Sequence, residues 1–165
     1  MTRVIDFDFG PSAGNRLAEA VTPGYEGSVA ALETFYYALN RTDLEVLSAV
    51  WSVEGLAQLN NPVGGILRSG ERIVELYARI FSSGMDVQVT FTDAATYDLG
   101  PAVVFAGREI GSYRGADGSR VPLAIRTTRV FGWSAGAGRW EQLHHHGSID
   151  DPAALAAYRA AAGVR

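Results

Sequence analysis

The chain's three histidines stand together in Trp140-Glu141-Gln142-Leu143-His144-His145-His146-Gly147-Ser148, between a Gly-rich turn and a candidate helix. This segment reads as the last strand of a sheet, and alternate side chains of a strand share a face. Trp140, Gln142, His144, His146 and Ser148 then point one way, and Glu141, Leu143 and His145 the other. Two groups that titrate near neutral pH, beside a tryptophan, make the wall of a pocket able to exchange protons. His144 and His146 are the candidate acid/base or orienting groups.

Neighbouring strands supply the rest of the set. A two-residue turn at Asp117-Gly118 puts Glu109 opposite Arg126. A loop over Ser134–Gly138 puts Arg126 opposite His146 and Thr128 opposite His144. One face then carries Glu109 as base and Arg126 as its electrostatic partner. Thr128, Gln142 and Trp140 lie beside them, with Phe105, Val103 and Val130 around. Such a face suits proton transfer next to a carbonyl, or dehydration and cyclisation by the same means. A one-residue slip at either turn would scatter the set to opposite faces.

Plainer readings stand beside this one. Glu109 and Arg126 also fit a simple cross-strand salt bridge. His144 and His146 could both reach a metal, but no third ligand is fixed by spacing, so neither metal nor cofactor is expected. His145 faces the other way and reads as an interface or second-face residue. Trp51, Tyr36, Tyr37 and Phe81 fit a core, with Trp51 and Tyr37 placed at the pocket wall and Tyr36 or Tyr37 offering a hydroxyl at its mouth. Asn60 and Asn61 are turn formers beside Pro62, with Asn60 a ligand contact as well. Ser148 follows the histidines too closely in one strand to be an activated nucleophile.

Composition narrows the chemistry. All 14 basic residues are arginines, which excludes a lysine Schiff base, and the absence of cysteine excludes thiolates and disulfides. Those arginines are scattered and the net charge is −4, so no nucleic-acid surface is expected. No apolar run approaches a membrane span and no leader-like segment opens the chain, so a cytoplasmic location is expected. The Ala-, Gly- and Arg-rich composition is of the kind that GC-rich bacterial genomes encode.

The 165 residues suit one domain. Residues 1–27, with six Gly or Pro, read as an arm packed on the domain or on a partner. A helix is predicted from Ser28 as N-cap, and a second from a capping box, Thr42-x-x-Glu45. Leu56–Asn60 and Gly65–Arg68 flank a turn and predict a short hairpin, followed by a helix after Ser69. From Asp86 the apolar period becomes two, predicting strands over 86–98, 101–115, 119–133 and 139–148. A last helix begins at Asp151 with Pro152 at its first position. Helices followed by an antiparallel meander make an α+β domain over 28–150, with a C-terminal helix and tail over 151–165.

Three patterns together resemble the nuclear transport factor two-like superfamily, in particular its SnoaL-like and ketosteroid isomerase-like branch. They are Phe35-Tyr36-Tyr37-Ala38-Leu39 with Asp43-Leu44-Glu45; Asn61-Pro62-x-Gly64-Gly65 leading into Ile73-x-x-Leu76-Tyr77; and Arg126-x-Thr128-x-Val130-Phe131 followed by Trp140 to Ser148. The resemblance implies a cone: a strongly curved antiparallel sheet around a pocket, closed by N-terminal helices. It also implies a homodimer through the sheet, a hydrophobic small-molecule ligand, and either an isomerase, dehydratase or cyclase or a non-catalytic binding or association module. The Tyr–Asp oxyanion pair and separate Asp base of the steroid isomerases have no counterpart among the matched motifs.

Overall fold

The computed structural model describes residues 1–55 and 57–163; Leu56, at the start of the predicted hairpin, lies outside the described residues. The chain runs β1 (Thr2–Val4), α1 (Tyr25–Arg41), α2 (Leu44–Val50), β2 (Gln58–Asn60), β3 (Leu67–Arg68), α3 (Gly70–Ser82), β4 (Gln88–Asp98), β5 (Ala102–Arg114), β6 (Arg120–Ser134), β7 (Arg139–Ser148) and α4 (Pro152–Ala161). The strands form one sheet in the order β1-β4-β5-β6-β7-β2-β3, antiparallel except where β2 lies parallel to β7.

Local chemistry sets the helix ends. Gly24, at φ 92°, turns the chain into α1 four residues before the predicted N-cap. Ser28 is therefore inside the helix, where its hydroxyl donates back to the Tyr25 carbonyl at 2.6 Å. Thr42 closes α1 in the left-handed region (φ 53°), so the cap of α2 passes to Asp43, whose carboxylate accepts from Val46 N at 3.0 Å. The α4 cap is the predicted one, with Asp151 accepting from Ala154 N.

The arm packs on its own domain. β1 adds an edge strand to β4, and Phe9 pairs with Phe91 farther along it. The Trp140 indole donates to the Thr22 carbonyl at 3.1 Å, tying the end of the arm to β7. That closeness depends on Gly27: a Cβ there would lie 1.9 Å from the Thr22 oxygen and 2.8 Å from the Trp140 ring. Gly27→Ala is expected to cost about 1–3 kcal/mol through overpacking, read as a lowered midpoint of urea unfolding. An unchanged midpoint would show that the arm yields without loss.

Helix α1 covers the inner face of the sheet and fixes its depth there. The Asn40 amide donates to Val89 O (3.0 Å) and accepts from Val89 N (2.8 Å), replacing backbone pairing at the start of β4. Phe35, Tyr36, Phe91, Phe105 and Phe131 pack beneath it, all fully buried.

Two registers differ from the predicted ones, and each difference has a local cause. Between β5 and β6 the loop has three residues, not two: Gly115 N donates to Ser119 O (2.9 Å), Gly118 N to Gly115 O (3.0 Å), and Gly118 takes φ 82°. This is a turn followed by a left-handed glycine, and it shifts pairing by one. Glu109 therefore faces Ile125, and Arg126 faces Arg108. Between β6 and β7 the hairpin closes at Ser134–Arg139, and a bulge at Leu143 inserts one more residue. Arg126 thus faces Ser148, Thr128 faces His146, and Val130 faces His144.

Candidate active site

The sheet separates the side chains that the sequence grouped. Arg126, Thr128, His144 and His146 do share a face, but it is the outer one. Glu109 and Phe105 lie on the inner face by register with β6, and the bulge returns Gln142 and Trp140 to that face as well. The inner side of β7 belongs instead to His145, only 5% exposed.

A carboxylate, a guanidinium and a phenol meet under α1. Arg129 Nη2 donates to Glu109 Oε1 at 2.6 Å, and the Tyr36 hydroxyl donates to the same oxygen at 2.8 Å. Arg129 Nε reaches the Tyr36 oxygen at 2.9 Å and Nη1 the Gln142 Oε1 at 3.1 Å. The guanidinium lies 3.7 Å from the Phe35 ring centre. Arg129 is fully buried and Glu109 is 3% exposed, so each charge depends on the other for compensation. Both bonds to Glu109 fall on Oε1, and no hydrogen bond among the described residues engages Oε2.

Glu109 and Arg129 border a small cavity of about 40 Å³. Glu109, Arg129, His145, Asn61, Tyr77 and Tyr158 supply its polar wall, and Leu39, Ile80 and Val89 part of its apolar one. That volume accepts a few water molecules. His145 shares a 2.9 Å hydrogen bond between Nε2 and the Thr127 hydroxyl, while its buried Nδ1 has no partner. Burial, then the Arg129 charge, holds its pKa well below the usual histidine value, so the ring is neutral at pH 7. Burial raises the Tyr77 phenol to about 12 and pushes Tyr36 and Tyr158 upwards, so all three stay protonated.

The outer face has a larger but open hollow of about 410 Å³, bordered by Arg126, Thr128, His146 and Asp93. Its charges are exposed and paired: Arg126 with Asp150 at 2.6 Å, Arg108 with Asp93 at 3.2 Å. His144 is partly buried there, and burial lowers its pKa. Among the described residues no three His, Asp or Glu side chains converge as a metal site. The buried carboxylate, that of Glu109, lies at the inner cavity and not at this hollow.

Several inner residues are immediate neighbours of those the sequence singled out. Arg129, not Arg126, partners Glu109. Asn61, not Asn60, reaches the cavity, and Asn60 instead accepts from the Gln58 amide at 3.2 Å. Tyr36, not Tyr37, supplies the buried hydroxyl, and Tyr37 lies under the Arg41 guanidinium. Trp51 is buried beside Gln142 in the core. A signal for the right face was present in β6: Leu123, Ile125 and Phe131 share the parity of Arg129, and that apolar alternation marks the inner face.

The α+β cone recurs among solved structures. The fold is found in a candidate dehydratase of the NTF2-like family from Streptomyces avermitilis (TM-score 0.65, 23% identity, 73% of this chain and 93% of that one). It is found also in a ketosteroid isomerase-like protein from Erwinia carotovora (0.64, 19%, 76% and 95%). A third match is a candidate calcium/calmodulin-dependent protein kinase II association domain from Xanthomonas campestris (0.65, 20%, 78% and 90%). The SnoaL-like domain family matches residues 29–152, and the chain belongs to that family. A search of functionally curated proteins finds no match. No helix among the described residues is long and apolar enough to cross a membrane.

Proposed function

We propose that the inner cavity binds a hydrophobic, carbonyl-containing metabolite and carries out acid–base chemistry on it: isomerisation, dehydration or cyclisation. The observation behind this reading is the buried Glu109 carboxylate, with Oε1 tied to Arg129 and Tyr36 and Oε2 unengaged, in a cavity wall shared with His145. Glu109 Oε2 takes a proton from the carbon beside the carbonyl, and the electron pair moves onto the carbonyl oxygen. His145 Nδ1–H, in the tautomer whose Nε2 accepts from Thr127, donates to that oxygen. Glu109 then returns the proton at another carbon, or a hydroxyl leaves with it. Arg129 and Tyr36 are positioning residues that hold the carboxylate.

The test is hydrogen–deuterium exchange at the α-carbon of a panel of cyclic ketones, followed by NMR. Glu109→Gln is expected to slow protein-dependent exchange at least ~100-fold, the scale of general base catalysis. Equal exchange in both proteins would remove Glu109 as the base.

The second reading is a non-catalytic ligand-binding or association module. It is favoured by the small volume of the cavity and by the likeness to an association domain. In either reading the outer face, where Ile110 is 44% and Leu143 36% exposed, is assigned to a homodimer contact that includes Arg126, His144 and His146. Native mass spectrometry of untagged protein reads subunit count and any retained ligand, and stoichiometric metal there would reassign His144 and His146 as ligands.

A further inference from the structure

Tyr158 is the single buried residue of α4; Ala153, Ala154, Ala156 and Ala157 are exposed. The family match ends at residue 152, so the helix lies almost wholly beyond the shared domain. Tyr158 is therefore the main anchor of a helix that is mostly alanine, with Ala161 packing against the core beside it. Its ring stands edge-on to Tyr113, with centroids 5.2 Å apart and planes at 79°. The same ring forms the cavity wall facing Glu109, Arg129, His145 and Tyr77.

Two facts limit what can enter. The cavity left beside Tyr158 holds only a few waters. Among its other walls Val89 is fully buried and Leu39, Tyr77 and Val87 nearly so, while Asn61, Pro62 and Ile80 are half-buried. Space for an organic ligand is gained at least cost where one ring leaves, since α4 has no other deeply packed side chain. The space so freed has the shape of one six-membered ring with an apolar rim and a polar end.

We infer that α4 is a displaceable plug whose Tyr158 occupies the ligand's place, and that the ligand is a single-ring compound bearing one oxygen, a phenol or a cyclic ketone. This rests on the inner cavity being the ligand site, as proposed above. The plug and the ligand compete, so apparent affinity falls by the fraction of molecules with α4 displaced. Tyr158 is thus a residue that sets ligand size, and larger ring systems are excluded unless the core walls move.

The test measures binding of p-cresol and 2-cyclohexenone to the full chain by calorimetry, for wild type, Tyr158→Ala and Tyr158→Leu. Both probes are expected to bind Tyr158→Ala at least ~10-fold more tightly than wild type, because the competitor is gone. In wild type, saturating p-cresol is expected to speed amide exchange across residues 152–161 as the helix is displaced. Equal affinity in wild type and variant, or slower α4 exchange on binding, overturns the plug. If neither variant folds, the wild-type exchange result alone decides. The two proposals fail separately. Tightened binding without Glu109-dependent α-carbon exchange keeps the plug and removes the base. Glu109-dependent exchange with unchanged affinity does the reverse.

Discussion

Arg129→Met is expected to lower the unfolding free energy by about 3–5 kcal/mol, because it leaves the Glu109 carboxylate buried without its countercharge. The loss is more than Coulombic. Arg129 donates to Glu109, Tyr36 and Gln142 and stacks on Phe35, so one substitution removes three hydrogen bonds and a cation–π contact. Methionine fills much of the volume, which keeps the cavity term small. A double variant, Arg129→Met with Glu109→Leu, is expected to recover most of the stability, since an apolar replacement of a whole buried ion pair is often neutral. Urea unfolding of both singles and the double closes the cycle. Singles that each cost under ~1 kcal/mol would mean the pair is solvated in solution and the cavity wetter than its geometry indicates.

Recovery of stability in the double variant would bear on function as well as stability. A pair that a hydrophobic couple replaces without loss is an expensive way to fill a core. Its retention fits a site where a carboxylate must be kept charged and oriented away from water. Loss of α-carbon exchange in a stable double variant would assign the pair to chemistry and not to folding.

Acidification is expected to destabilise the protein through His145. Its folded pKa lies well below the ordinary histidine value of about 6.5, chiefly because the ring is buried. Between the folded and unfolded values the unfolded chain binds the extra proton, so stability rises with pH there. The contribution is fully present above about pH 6.5 and is lost as pH falls toward the folded value, at about 1.4 kcal/mol per pH unit. His144 is shifted in the same direction but is only partly buried, so its share is smaller. His145→Gln keeps a group able to bond Thr127 and removes the titration. Denaturation midpoints followed from pH 7.5 to 4.5 are expected to fall less steeply in the variant. Parallel slopes would show that His145 already titrates in water, with its Nδ1 open to solvent and unsuited to the role proposed for it.

The proposed division of labour also explains the side-by-side histidines. His145 is neutral and enclosed, whereas His146 lines an open hollow among charged side chains on the opposite face. A run of three on one strand cannot serve one site, because alternate residues are separated by the thickness of the sheet. The bulge at Leu143 decides which of them looks inward.

The α+β class, the last four strands and the α4 cap were legible in the sequence because each depends on local signals. The apolar period of two from Asp86 onward marks the strands, and Asp151-Pro152 marks a helix start whatever surrounds it. The family resemblance was legible too, carried by motifs spread over α1, α3 and the last two strands. Glu109, the one acidic residue inside β5, was singled out from the sequence, and the structure buries it on the inner face. Its partner was not singled out, because partnership across a sheet depends on register, and register here turns on one residue in the 115–119 loop and one bulge at 143. Both devices shift pairing by a single step, and each step reverses a face. Sequence alone therefore determined most of the elements, though not β1, which the reading of residues 1–27 as an arm left out. Only the tertiary structure decided that Arg129, Tyr36 and His145, not Arg126, Tyr37 and His144, share the interior with Glu109, and that Tyr158 closes it.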